Sequence, residues 1–195
     1  MSPTAPVFYF AAMSPYSWLA AERIEQVLPD ARWRAVTAAF VFKAAGRTSW
    51  GLTADRESGI ADSERRAAAH GRGPIRWPDP WPTNDLPVAR AMTFAETRGA
   101  LRPFAMSAMR MAFLEGRDLA ERDVVLEAGA RVGIEATELG AALEETAVKD
   151  ALRVSTEEAI ARGVFGIPTV LVGDRLFWGD DRLEDAAAAW AGAGT

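Results

Sequence analysis

Met13-Ser14-Pro15-Tyr16-Ser17-Trp18 has the spacing of a Cys-Pro-Tyr-Cys redox motif with a hydroxyl in place of each sulfur. Two cysteines at that spacing, set where a first strand passes into a first helix, perform thiol–disulfide exchange. The 195-residue chain contains no cysteine, so neither the nucleophile nor the leaving group of that exchange exists here. Ser14 suits an N-cap, and Pro15 suits the first helical position, where a missing N–H costs nothing. Trp18, Leu19, Ala21, Ile24, Val27 and Leu28 then recur at helical spacing, until Pro29-Asp30 stops the helix.

Outward from this helix, Val7-Phe8-Tyr9-Phe10 is a compact apolar run of β-formers and predicts a buried strand. Arg32 to Phe40, with Trp33, Val36 and Thr37, predicts a second strand. At the far end, Ile167 to Val172 predicts a strand, Gly173-Asp174 a turn, Arg175 to Trp178 the returning strand, and Asp181 to Trp190 a closing helix. The segment between carries no strand pattern. Ser58–Gly71, Val88–Arg98, Arg102–Glu115, Glu121–Val132 and Ala136–Gly163 (with a break) predict helices, and Gly73–Pro87 a proline- and tryptophan-rich loop. The arrangement is α/β: a thioredoxin-like fold, residues 1–42 and 164–195, with a large all-helical insertion, residues 43–163. The insertion is expected to roof the Ser14 site.

With a formal charge of −5 no basic face is visible from the totals, so nucleic acid is not an expected partner. No stretch approaches the roughly 20 apolar residues of a membrane span, so no membrane partner is expected. Met1 to Pro6 lacks basic residues before an apolar run, and Val7–Phe10 is too brief for a signal peptide. Without cysteine there is no disulfide framework and no cysteine metal site, and a cytoplasmic location is expected.

Three stretches stand in register: Phe8-Tyr9-Phe10 with Ser14-Pro15-Tyr16-Ser17-Trp18-Leu19-Ala20; Gly163-Val164-Phe165-Gly166-Ile167-Pro168-Thr169; and Leu176-Phe177-Trp178-Gly179-Asp180-Asp181-Arg182-Leu183. Together they resemble the DsbA-like family, and within it the 2-hydroxychromene-2-carboxylate isomerases and kappa-class glutathione transferases. The chain departs from that pattern at Ala11, where the family often has an acid, and at Arg47-Thr48-Ser49-Trp50, where it tends to use asparagine and lysine.

The resemblance implies a bound low-molecular-weight thiol, glutathione or another, and no metal. Ser14 would donate its hydroxyl to the thiolate, with the helix N-terminus adding positive potential. The alternative is that Ser14 is an N-cap only. Pro168 would be a cis-proline, freeing the Ile167 backbone to pair with the cysteinyl part of the thiol; otherwise it is a trans proline opening a strand. Asp180 and Asp181 either hold the ammonium and carboxylate of a γ-glutamyl group, or Asp181 forms a capping box with Glu184. Arg47 is a candidate for a substrate or glycyl carboxylate. Trp50, Trp77 and Trp81 either pack in the loops or floor a pocket for a flat aromatic substrate. His70 is expected at a helix end.

The implied activity is a glutathione-dependent isomerisation: the thiolate adds to an activated double bond, the ring opens, rotation follows, and the thiol is eliminated. A kappa-like transferase would keep the thioether. A non-enzymatic thiol- or peptide-binding protein, without redox activity, is the third reading and is favoured by Ala11. The partners expected are a small-molecule substrate and, as the family implies, a second copy in a homodimer.

Overall fold

The computed structural model describes residues 4–193. The leader expectation for Met1–Pro3, and the last two positions of the segment 164–195, lie outside the described residues. In chain order the elements are β1 (Val7–Phe10), α1 (Pro15–Val27), β2 (Arg32–Ala35), α2 (Ala38–Ala44), α3 (Arg56–Ala69), α4 (Leu86–Thr97), α5 (Leu101–Glu115), α6 (Arg122–Ala130), α7 (Ala136–Ala142), α8 (Thr146–Ala161), β3 (Thr169–Val172), β4 (Arg175–Trp178) and α9 (Leu183–Ala193). Short 3-10 turns cover Trp50–Leu52 and Asp180–Arg182.

The four strands form one sheet in the order β2-β1-β3-β4. β1 runs parallel to β2, Val7 opposite Arg32 and Phe10 opposite Ala35. A parallel pair needs a crossover, and α1 supplies it. β3 pairs antiparallel with both β1 and β4, the second through the Gly173-Asp174 turn, where Gly173 takes φ 62°. This is the α/β thioredoxin-like architecture with a helical insertion. One face of the sheet is aromatic: Phe8 and Phe10 stack at 5.1 Å, and Trp33 meets both edge-on. α1 buries Trp18, Leu19 and Ile24 completely.

The second strand ends earlier than its composition suggests. Val36 still donates to the Phe10 carbonyl at 3.0 Å, but residues 38–44 turn into α2. The cause is tertiary. Thr37 N–H donates to Thr156 Oγ1 of α8 at 3.1 Å, and Ala38 N–H to Asp85 Oδ2 at 3.3 Å. Side chains of the insertion thus take the donors that further strand pairing would have used.

The insertion is fastened to the sheet domain through α1. Trp18 stacks on Phe113 of α5 with centroids 5.6 Å apart. One turn on, the Glu22 side chain is buried and accepts from Trp18 Nε1 at 3.2 Å and from Arg110 at 2.7 and 2.9 Å, with Arg72 at 3.3 Å. Burial works to raise the Glu22 pKa; the bonds and charges of Arg110, Arg72 and Trp18 overcome it and hold the carboxyl below its usual range.

Candidate active site

α1 begins where the chain leaves β1. Ser14 is its N-cap, accepting from Ser17 N–H at 3.1 Å. A serine hydroxyl has one donor and two acceptor sites, so this cap leaves the O–H proton free. Ser17, the second hydroxyl of the motif, is wholly buried and accepts from Ala11 N–H at 3.5 Å. The two hydroxyls are therefore inequivalent: only Ser14 faces open space.

That space is a cleft of about 1060 Å³ between the sheet domain and the insertion. Ser14, Ile167, Pro168, Asp180, Asp181 and Arg47 all line it. The Ile167–Pro168 peptide is cis. Pairing of β1 with β3 begins at Thr169, so the Ile167 backbone lies beyond the end of the sheet.

The Gly179–Asp181 turn forms one wall. Gly179 takes φ 118°, and its N–H donates to the Pro168 carbonyl at 3.0 Å, tying the turn to the cis-proline. Asp180 is buried; its Oδ1 accepts from Arg66 at 2.9 Å, while its Oδ2 has no partner. Burial raises the Asp180 pKa, against the pull of Arg66. Asp181 is exposed, with Oδ2 3.3 Å from the same guanidinium. The expected capping box is absent. Residues 180–182 form a 3-10 turn with no side-chain cap, Asp181 turns to Arg66, and Glu184 pairs with Arg23 of α1.

Arg66 organises this wall, and the sequence reading passed over it. From α3 it reaches Asp62 at 2.8 Å as well as both aspartates, and lies over the Tyr16 ring at 5.2 Å. Tyr16 donates to Asp62 at 2.9 Å, and burial pushes its pKa up to about 12, so it stays a neutral donor. The only local sign was Asp62 four residues before Arg66; Asp180 is 114 residues away.

Arg47 stands at the mouth, its guanidinium 4.5 Å from the Trp178 ring centroid and 5.9 Å from Phe165. Among the described residues it makes no ion pair, so its charge is available to a ligand. The loop tryptophans form a cluster: Trp81 lies 4.9 Å from Trp50 and 4.8 Å from Trp77, and Trp77 meets Phe113 at 6.0 Å. Trp81 Nε1 donates to the Met13 carbonyl at 3.1 Å, locking the loop onto the residue before Ser14. Trp50 and Trp81 line the cleft; Trp77 supports them from behind. His70 caps the C-terminus of α3, beside Arg23 at 3.3 Å. Among the described residues no group of three or more His, Cys, Asp or Glu could hold a metal ion, and no helix is long and apolar enough to cross a membrane.

The site can therefore offer one free hydroxyl at a helix N-terminus, an unpaired strand end, an acid–arginine wall, a lone cation and aromatic surface. The chain is similar to known proteins over nearly its whole length. The profile of the DSBA-like thioredoxin domain matches residues 7–191. A 2-hydroxychromene-2-carboxylate isomerase of Sphingobium xenophagum is 26% identical over 184 residues, covering 91% of this chain and 93% of the relative. One of Pseudomonas putida is 26% identical over 183 residues, covering 90% and 89%. Among solved structures, a 2-hydroxychromene-2-carboxylate isomerase superposes with a TM-score of 0.83 at 23% identity, covering 96% of this chain and 95% of that one. The cytosolic disulfide reductase DsbM of Pseudomonas aeruginosa, solved with GSH, superposes with a TM-score of 0.67 at 18% identity, covering 96% of each chain.

Proposed function

We infer, for a chain that belongs to the DSBA-like thioredoxin domain family, a glutathione-dependent isomerase of the 2-hydroxychromene-2-carboxylate type. The observation that carries this reading is the position of Ser14: a helix N-cap hydroxyl with its proton unspent, in one cleft with cis-Pro168 and the Asp180-Asp181 turn. The names of the relatives supply the reaction.

In this reading glutathione lies along the Pro168 edge. Its cysteinyl backbone pairs with Ile167 as an added strand would. Its ammonium meets the exposed carboxylate of Asp181, while Asp180, buried against Arg66, holds that wall in place. Its thiol sits at Ser14. A donated O–H and the positive end of α1 favour thiolate over thiol, lowering the pKa from about 8.5. Arg47 takes a carboxylate at the mouth, and Trp50 and Trp81 offer faces to a flat ring.

Ring opening of the bound hemiketal unmasks a ketone. The ketone activates the adjacent double bond, and the thiolate adds to its far carbon. The former double bond is then single and rotates, and collapse of the enolate expels the thiolate unchanged. Glutathione is thus a catalyst rather than a reactant. The test is calorimetric titration with glutathione, together with turnover of 2-hydroxychromene-2-carboxylate at catalytic glutathione. Binding with isomer formed and thiol recovered supports the reading; folded protein showing neither ends it. A stable thioether product would instead make the chain a transferase.

A further inference from the structure

Four carboxylates line the cleft, and they are not alike. Asp180 and Asp181 answer to Arg66, and Asp55 is exposed. Asp85 is buried, 8% exposed, with no ion pair among the described residues. Its place at the start of α4 does not explain it, because its side chain caps no N–H of α4. Instead Oδ2 turns inward and accepts from Ala38 N–H of α2 at 3.3 Å, at the cleft wall that Ala38 also lines. A buried carboxylate that faces a cavity and makes no ion pair of its own is expensive as an anion and well placed to carry a proton.

Arg47 lines the same cleft but lies over the Trp178 ring, 4.5 Å from its centroid, and makes no ion pair with Asp85; the other charges around Asp85 are committed elsewhere. On its own helix Arg90 reaches the Leu143 carbonyl, and Glu96 pairs with Arg34 of β2. On α8, Lys149 pairs with Glu144, and Arg153 with Asp150 and Glu157. Asp118, under the loop before α4, accepts from Thr83, and Arg56 donates to the Trp81 carbonyl. Lys43 lies in the last turn of α2, the far end from Ala38.

We propose that Asp85 is the proton-transfer residue of the isomerisation, acting on the hemiketal that must open before the thiolate adds. This rests on the isomerase reading above. Asp85 removes the proton from the hemiketal hydroxyl. Its O–H electron pair forms the C=O bond, and the ring C–O bond breaks with its pair leaving on the phenolate oxygen. The same proton passes from Asp85 to that oxygen. Nothing is oxidised or reduced, no proton is gained or lost, and Asp85 returns to its carboxylate. Burial pushes its pKa up to about 6, which suits a group that both takes and gives a proton near neutrality.

The test uses the full chain with glutathione and 2-hydroxychromene-2-carboxylate. Asp85→Asn keeps an acceptor for Ala38 N–H but cannot carry the proton. Its kcat is expected to fall about 10²–10⁴-fold with the KM for glutathione within twofold of wild type. Formate added to Asp85→Ala is expected to restore turnover in proportion to its concentration, which a merely structural tether would not do. An Asp85→Asn kcat within threefold of wild type overturns the proposal, as does loss of activity with no formate rescue. A wild type that binds glutathione yet never turns over overturns both this and the isomerase reading, and so is distinguishable from failure of Asp85 alone.

Discussion

Replacing Asp85 by asparagine tests the energetics of this group without any substrate. Burial moves its pKa from 3.8 to about 6. The folded chain therefore holds the proton more tightly than the unfolded chain does. Below about pH 4 both states are protonated and the carboxyl costs nothing as a charge. As pH rises through about 6 the folded protein must accept a buried anion, and stability falls. The rise of about two units corresponds to about 3 kcal/mol at pH 8. Asparagine escapes that cost and still accepts from Ala38 N–H. Its amide N–H₂ is left in the same buried place, and an unmet donor costs about 1–2 kcal/mol. The variant is thus more stable by about 1–2 kcal/mol at pH 8, a rise in Tm of about 2–8 °C for a chain this size. At pH 4 most of the charge cost is gone, and the unmet amide leaves the variant about 1 kcal/mol less stable than wild type. Thermal unfolding followed by circular dichroism at both pH values reads this directly. A Tm difference that does not change between pH 4 and pH 8 would refute a charge-burial cost at Asp85.

Other substitutions probe the rest of the site. Ser14→Ala removes the acceptor of Ser17 N–H and should cost about 1 kcal/mol in thermal unfolding. Arg66→Met leaves Asp180 buried with no cation and should destabilise by about 3 kcal/mol, the low end for a broken buried pair because Arg66 is partly solvated; Asp180→Asn in the same chain should recover much of that loss. Gly59→Ala should cost about 1–3 kcal/mol and change the tryptophan fluorescence, because a Cβ there would run into the Trp50 ring; an unchanged spectrum with raised stability would contradict that contact.

Much of the frame was readable from local pattern. β1, α1 and β4 follow from apolar runs and from the Ser14-Pro15 start, and the helices of the insertion lie within a few residues of their expected bounds. The start of α2 was hidden because Trp33, Val36 and Thr37 carry the strand pattern on toward Phe40. Only Thr156 and Asp85, far along the chain, divert the N–H groups of Thr37 and Ala38. The Asp181–Glu184 capping box failed for the same kind of reason: Arg66 and Arg23 claim those acids. Ser14, Ile167, Pro168, Asp180 and Asp181 could be named early because family resemblance marks them, and Arg47 as a candidate cation where the chain departs from the family; the fold gathers all six in one cleft. Arg66 and Asp85 could not. One looked like an exposed helix arginine and the other like an ordinary helix start, and only tertiary packing aims them into the site.

The central claim is that the tip of α1 favours negative sulfur brought from solution. Its most direct measure is the ultraviolet absorbance of the thiolate of glutathione bound at saturation, followed across pH for wild type and Ser14→Ala. The account predicts a bound-thiol pKa at least about one unit below the free value of about 8.5 in wild type, moving back toward that value when the hydroxyl is removed. Bound glutathione that titrates like the free thiol, or a lowered pKa that survives Ser14→Ala unchanged, would contradict it.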